Sequence, residues 1–199
     1  MSTRKTEQHI DPDFVLTAYR NGYFPMAESR TGPISWFSPD PRTIIPLDAF
    51  RVTRSLRRKV KQGLFQIRIN TDFPGVIRAC ANRHETWISD EIISVYTLLH
   101  RRGYVHSVEA WHGQVLAGGL YGVAIGGAFF GESMFSLEAE ASKVALVSLV
   151  GRLNERGFLV LDSQYITEHL MQFGARQISR DDYLGLLARA LLVDTRFAD

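Results

Sequence analysis

A single cysteine, Cys80, stands in this 199-residue chain, so no internal disulfide can form and no zinc site can rest on thiolates alone. No apolar run approaches the ~18 residues that a membrane-spanning helix needs, and the stretch from Met1 to Asp13 is polar rather than signal-like. These absences give a cytoplasmic protein with no membrane partner as the expectation. His84, His100, His106, His112 and His169 show no ligand spacing, so no metal is expected either. The chain also lacks a Walker or Rossmann glycine loop and a Gly-x-Ser-x-Gly elbow, which removes the usual nucleotide-binding and serine-hydrolase chemistries.

What is present is enough apolar residue, 45% of the chain, to build a real core, together with a net charge of only +2. That charge is unevenly spread. Arg51, Arg54, Arg57, Arg58, Lys59, Lys61 and Arg68 lie between Asp48 and Asp72 with no acid among them. Such a patch suits phosphates, because neutralising them releases condensed counterions; it is equally the composition of a solvated basic helix turn.

Local signals give the organisation. Asp11-Pro12 can open a helix that Gly22 closes, and the four prolines between Pro25 and Pro41 read as ordered irregular backbone ending in a domain junction. A strand is expected at 65–69, a helix capped by Asp72, and a second helix after Ser89. Segments 105–111 and 114–123 flank His112-Gly113 as a hairpin, a third strand runs from about 128 to 135, and a long helix covers roughly 139–156. The apolar run 158–161 reads as a central buried strand, and helices near 166–173 and 179–192 complete the chain. The expected class is α+β: a small N-terminal domain over 1–41, then a domain over 42–199 with a mostly antiparallel sheet flanked by helices.

Two places carry chemistry. Gly118 to Phe135 is flecked with glycines that a strand interior does not favour, which suggests bulges or a close approach to another molecule. Within it Glu132 has apolar neighbours, and a carboxylate there needs a partner or has a perturbed pKa. Asp162 and Gln164 follow the buried run and, at i and i+2 of extended backbone, would face one substrate together. The plain alternative is that Asp162 caps the next helix and Gln164 lies on the surface. Trp87, Trp36 and Phe37 are core residues or stacking platforms for bases.

The order of elements is compatible with the acetyltransferase superfamily. The segment that cradles the coenzyme A pyrophosphate there would be Ser136 to Ser142, which has two glutamates and no glycine, so no coenzyme or other cofactor is expected. A coenzyme A-dependent N-acetyltransferase and a non-catalytic nucleic-acid-binding module remain the alternatives on residues alone.

Taken in order, Tyr23-Phe24-Pro25, Trp36-Phe37-Ser38-Pro39-Asp40-Pro41-Arg42, Thr86-Trp87-Ile88, His106-Ser107-Val108-Glu109, Gly131-Glu132-Ser133-Met134-Phe135, Ala141-Ser142-Lys143 and Asp162-Ser163-Gln164 resemble the leucyl/phenylalanyl-tRNA–protein transferases. The resemblance implies an acetyltransferase-like catalytic domain that moves leucine or phenylalanine from charged tRNA to the N-terminal amine of proteins beginning with arginine or lysine, marking them for degradation. It implies catalytic or acceptor-binding roles for Asp162, Gln164 and Glu132. Trp87 and Met26 fall at the terminal adenosine, Leu120, Phe129, Leu146, Leu149 and Leu161 at the aminoacyl side chain, and Ser133 in the substrate site that the two share. Arg51, Arg54, Arg57, Arg58, Lys59 and Lys61 would then meet the tRNA acceptor stem. Met26 departs from the tryptophan frequent in the family, and the family's glycine-rich segment before the first helix is absent, which implies a shortened N-terminal domain.

Overall fold

The computed structural model describes residues 10–198. Helix α1 (Pro12–Arg20), capped by the Asp11 side chain, leads into a two-stranded hairpin, β1 (Phe24–Ala27) and β2 (Ile34–Phe37), and then β3 (Arg42–Ile44). The proline-rich segment therefore contains three strands where irregular backbone was expected. Pro25 is tolerated because it lies in a two-stranded ribbon, where a missing N–H breaks no central ladder.

Next come α2 (Arg54–Gln62), β4 (Gln66–Ile69), α3 (Phe73–Ala81) and α4 (Asp90–Arg101). Thr53, Asp72 and Ser89 cap the three helices with side-chain oxygens. The buried Glu109 carboxylate ties the start of α3 to the sheet, accepting from the Thr71 and Asp72 amides and from Ser107 and Trp111. The meander β5 (Val105–His112), β6 (Val115–Ile125) and β7 (Ala128–Ser136) follows; its first turn falls on Gly113-Gln114, one residue later than expected.

After α5 (Ala141–Glu155) the chain forms β8 (Val160–Gln164), α6 (Glu168–Met171), β9 (Arg176–Ile178) and α7 (Arg180–Leu191). Strand β8 starts later than the apolar run, with Leu159 exposed, and it includes Asp162 and Gln164 rather than preceding them. The seven-stranded sheet has the order β4-β5-β6-β7-β8-β3-β9. Every pairing is antiparallel except β7 with β8. That agrees with the α+β class and the mostly antiparallel sheet expected from sequence.

Alternation along the strands builds two cores. Tyr121, Val123, Phe130 and Val160 face α1, α3, α4 and α7, whereas Leu120, Phe129 and Leu161 face α2 and α5. Gly118 lets α5 close on the sheet: a Cβ there would meet Ala141 Cβ at 2.7 Å. Among the described residues no helix is long and apolar enough to cross a membrane.

Candidate active site

The parallel pairing of β7 and β8 is short. It joins Ala128, Phe129 and Phe130 to Val160, Leu161 and Asp162, after which β7 stays with β6 and β8 stays with β3. Where the two strands part, at their carboxyl ends, lies a cavity of about 440 Å³. Crevices beyond the carboxyl ends of parallel strands are common binding sites, because side chains and backbone there have no ladder partner.

Glu132 reaches this cavity by a β-bulge. Gly122 pairs with Gly131 and Tyr121 with Ser133, so Glu132 is the extra residue on β7. Gly122 makes the bulge possible, since a Cβ there would come within 2.3 Å of the Phe130 carbonyl and 2.4 Å of the Phe129 ring. The Tyr19 hydroxyl of α1 donates to Glu132 Oε1 at 2.7 Å and is itself hydrogen-bonded to the Tyr96 hydroxyl of α4. Burial pushes the Glu132 carboxyl up to about 8; the hydrogen bond from Tyr19 opposes the rise and the charge of Asp162 adds to it. The same burial, with Glu132 beside them, holds the Tyr19, Tyr96 and Tyr121 hydroxyls protonated.

Asp162 and Gln164 lie across from it on β8. Asp162 is fully buried, and it is not a helix cap: Thr167 caps α6. Its carboxylate pairs with the equally buried Arg42 of β3 through Arg42 Nε at 3.0 Å and Nη2 at 2.6 Å, and accepts from the Tyr183 hydroxyl at 2.8 Å. Burial works against the Arg42 charge, but the attraction of Asp162 wins and holds the guanidinium above its usual value. Gln164 is 6% exposed rather than on the surface, has φ +61°, and its side-chain Nε2 has no hydrogen-bond partner. A buried amide without a partner, in a cavity wall, is a donor waiting for a ligand.

The remaining lining is divided by chemistry. Leu120, Leu146, Leu149, Leu161 and Ile45 come from the core on the α5 side, while Phe24, Met26, Trp87 and Tyr121 belong to the aromatic core on the other face. Trp87 is fixed through its carbonyl, which accepts from the Ala27 amide at 3.1 Å. Ser133 and Arg83 also line the cavity, and Arg83 Nη2 donates to the Met134 carbonyl. Phe129, expected in the wall, is outside the lining: its β7 position turns it onto Phe197, with ring centroids 5.0 Å apart. The sequence reading did not single out Arg42, Tyr183, Tyr19 or Tyr96, because their roles depend on partners 21 to 141 residues away.

The basic residues form a separate surface. Arg54, Arg57, Arg58, Lys59 and Lys61 are exposed along α2, whose only buried residue is Leu56, and Arg51 is exposed just before it. Among the described residues none of the six makes an ion pair. Arg68 is on β4 instead, with its guanidinium 4.7 Å from the Trp111 ring. The described residues contain no cluster of histidines, cysteines and carboxylates fit for a metal ion.

Comparison with known proteins gives this arrangement a family. The model of the leucyl/phenylalanyl-tRNA protein transferases matches residues 44–188, and that of their N-terminal domain matches residues 8–40. The chain is 54% identical over 189 residues to the leucyl/phenylalanyl-tRNA–protein transferase of Maricaulis maris, covering 92% of this chain and 88% of that one. Its counterpart in Chlorobaculum parvum is 54% identical over 186 residues, covering 92% and 96%, and that in Rubrobacter xylanophilus is 51% identical over 190 residues, covering 95% and 99%. A crystal structure of the DUF2156 C-terminal domain of an Agrobacterium fabrum protein superposes with a TM-score of 0.43 at 12% identity, over 92% of this chain and 57% of that one. With two family models spanning nearly all of it and relatives sharing half its residues, the chain belongs to the leucyl/phenylalanyl-tRNA protein transferase family, the aminoacyltransferases.

Proposed function

We propose that the protein transfers leucine or phenylalanine from charged tRNA to the N-terminal α-amine of proteins beginning with arginine or lysine, and so marks them for degradation. One observation carries the assignment of the site: the unpartnered Gln164 amide shares a cavity with Glu132, between an apolar wall and an aromatic one. The apolar wall offers no group to pair with a polar side chain, so it favours leucine and phenylalanine and rejects charged residues. Trp87 and Met26 offer faces on which the terminal adenosine stacks.

The reaction is aminolysis of an ester. The acceptor nitrogen bonds to the aminoacyl carbon, the bond from that carbon to the ribose oxygen breaks, and the oxygen leaves with the proton that the attacking nitrogen gives up. The attacking amine must first lose its own extra proton. An α-amine titrates at about 7.7–8.0, close to the value of about 8 for Glu132. Near neutral pH a part of the amine has therefore already released that proton to solvent, and Glu132, which carries its own proton there, positions the neutral amine by hydrogen bonding rather than by taking a proton from it. Gln164 Nε2 donates to the ester carbonyl as negative charge builds on its oxygen, while Asp162 orients Gln164 and takes no proton. The α2 surface, from Arg51 to Lys61, meets the phosphates of the acceptor stem.

Transfer of labelled leucine from charged tRNA to a lysine- or arginine-initiated peptide tests this reading. Transfer is expected with the parent chain, and Gln164→Ala should lower it by about 10²-fold, the scale of one lost oxyanion donor. Joint replacement of Arg54, Arg57, Arg58 and Lys59 by alanine should weaken tRNA binding and flatten its salt dependence. No transfer to any peptide amine by the parent would refute the function, and an unchanged salt slope would remove the α2 surface from it.

A further inference from the structure

Asp162 has no lone pair left for a substrate. A carboxylate offers about four acceptor positions, and here Arg42 Nε, Arg42 Nη2, the Tyr183 hydroxyl and the Gln164 backbone N–H occupy them. The last of these bonds, Gln164 N to Asp162 Oδ1 at 2.9 Å, ends on the amide of the left-handed residue, next to the bond about which its φ turns. A glutamine resists that conformation, because its Cβ crowds the following carbonyl oxygen, so something must hold it there.

Arg42 is itself over-determined. Its third nitrogen, Nη1, donates to the Gly22 carbonyl at 3.1 Å, and the rings of Phe24 and Tyr183 stand 4.7 and 4.6 Å from its guanidinium carbon. The fork of a guanidinium fixes both oxygens of the carboxylate at once, which fixes the plane of the Asp162 side chain and hence where Oδ1 meets the Gln164 amide. Stability alone does not call for such a pair, because apolar side chains of like volume often serve as well.

We propose that Arg42 and Tyr183 are positioning residues for aminoacyl transfer: through Asp162 they lock the Gln164 backbone in the turn that carries its side-chain amide into the cavity. This rests on the reading of Gln164 as the reactive-site donor. Arg42 and Tyr183 touch no substrate, and their effect is on the geometry of Gln164 alone.

The test separates turnover from binding with the full-length chain, charged tRNA and a lysine-initiated peptide. Arg42→Lys keeps the charge and loses the fork, so kcat should fall at least about tenfold while KM for both substrates stays within about threefold. Tyr183→Phe removes one hydroxyl and keeps the ring over Arg42, and kcat should fall about three- to tenfold. Guanidinium ion added to Arg42→Ala should restore part of the lost kcat, which a merely structural role would not do. If Arg42→Lys fails to fold, Tyr183→Phe decides. Parental kcat in Tyr183→Phe, or in a folded Arg42→Lys, overturns the proposal, as does a loss confined to KM for the tRNA. Gln164→Ala is the control for the underlying reading: if it turns over like the parent, the site assignment fails, whereas its loss of turnover beside a normal Arg42→Lys sinks the positioning role only.

Discussion

Glu132 and Asp162 are carboxylates on neighbouring strands of one cavity, yet their surroundings differ in kind. Asp162 faces a guanidinium that grips both of its oxygens; Glu132 accepts its hydrogen bond from the Tyr19 hydroxyl, and the Arg42 charge reaches it without an ion pair. The first has every acceptor position filled and nothing left to give. The second makes no ion pair among the described residues, and burial holds a proton on it up to about pH 8. The difference shows how one sheet supplies both a rigid frame and a group able to exchange protons: the frame comes from saturating a carboxylate, the reactivity from starving one.

Breaking the saturated pair should have the largest effect. Asp162→Ala leaves Arg42 buried and unpaired, and we expect a loss of about 3–5 kcal/mol in urea unfolding, with turnover abolished. Replacing both residues together, Arg42→Leu with Asp162→Leu, should recover most of that stability without recovering transfer. Stability and activity that return together would mean that the pair serves only to hold the fold.

The starved carboxylate is tested by pH. The folded protein keeps a proton on Glu132 up to about 8, whereas the ordinary value is 4.5, so between these limits the folded state binds more protons than the unfolded one. The stabilisation is complete below pH 4.5 and is lost as pH rises through 8, by at most about 1.4 kcal/mol per pH unit. Glu132→Gln cannot ionise. Its melting temperature should therefore fall less than the parent's between pH 5 and pH 9, and parallel curves would show that Glu132 is already charged at neutral pH.

The smallest effect is expected from Tyr19→Phe. It removes a hydrogen bond that lowers the Glu132 value, so the midpoint of the parent's pH-dependent loss of stability should move upward by less than about one unit. A downward move would mean that Tyr19 favours the neutral acid instead.

Much of the site was legible because its signals are local. The glycines ahead of Glu132, Gly122 and Gly131 among them, suggested a bulge or a close approach, and the i, i+2 spacing of Asp162 and Gln164 pointed to one cavity; both of these side chains belong to its lining. The same spacing misread the geometry, since positive φ at Gln164 breaks the extended backbone on which it relied. Arg42 was invisible as a partner because nothing near Asp40-Pro41 specifies a carboxylate on a strand formed so much later. Phe129, which the resemblance placed at the aminoacyl side chain, is covered by Phe197 instead, a contact that nothing near Phe129 in the sequence announces. In the fold, the hairpin over 24–37 was hidden by its prolines, which argue against central strands and say little about a two-stranded ribbon.

The seating of β3 between β8 and β9 also bears on synthesis. Arg42 leaves the ribosome 120 residues ahead of Asp162, which at 5–20 residues per second is a wait of about 6–24 s. During that interval β3 has neither neighbour, and its guanidinium stays hydrated among prolines. Nascent chains stalled before Val160 should therefore be cut by protease near Arg42, and chains stalled far enough beyond α7 for it to clear the tunnel should resist. Protection at Arg42 in the shorter chains would mean that another segment shelters the strand until its partners appear.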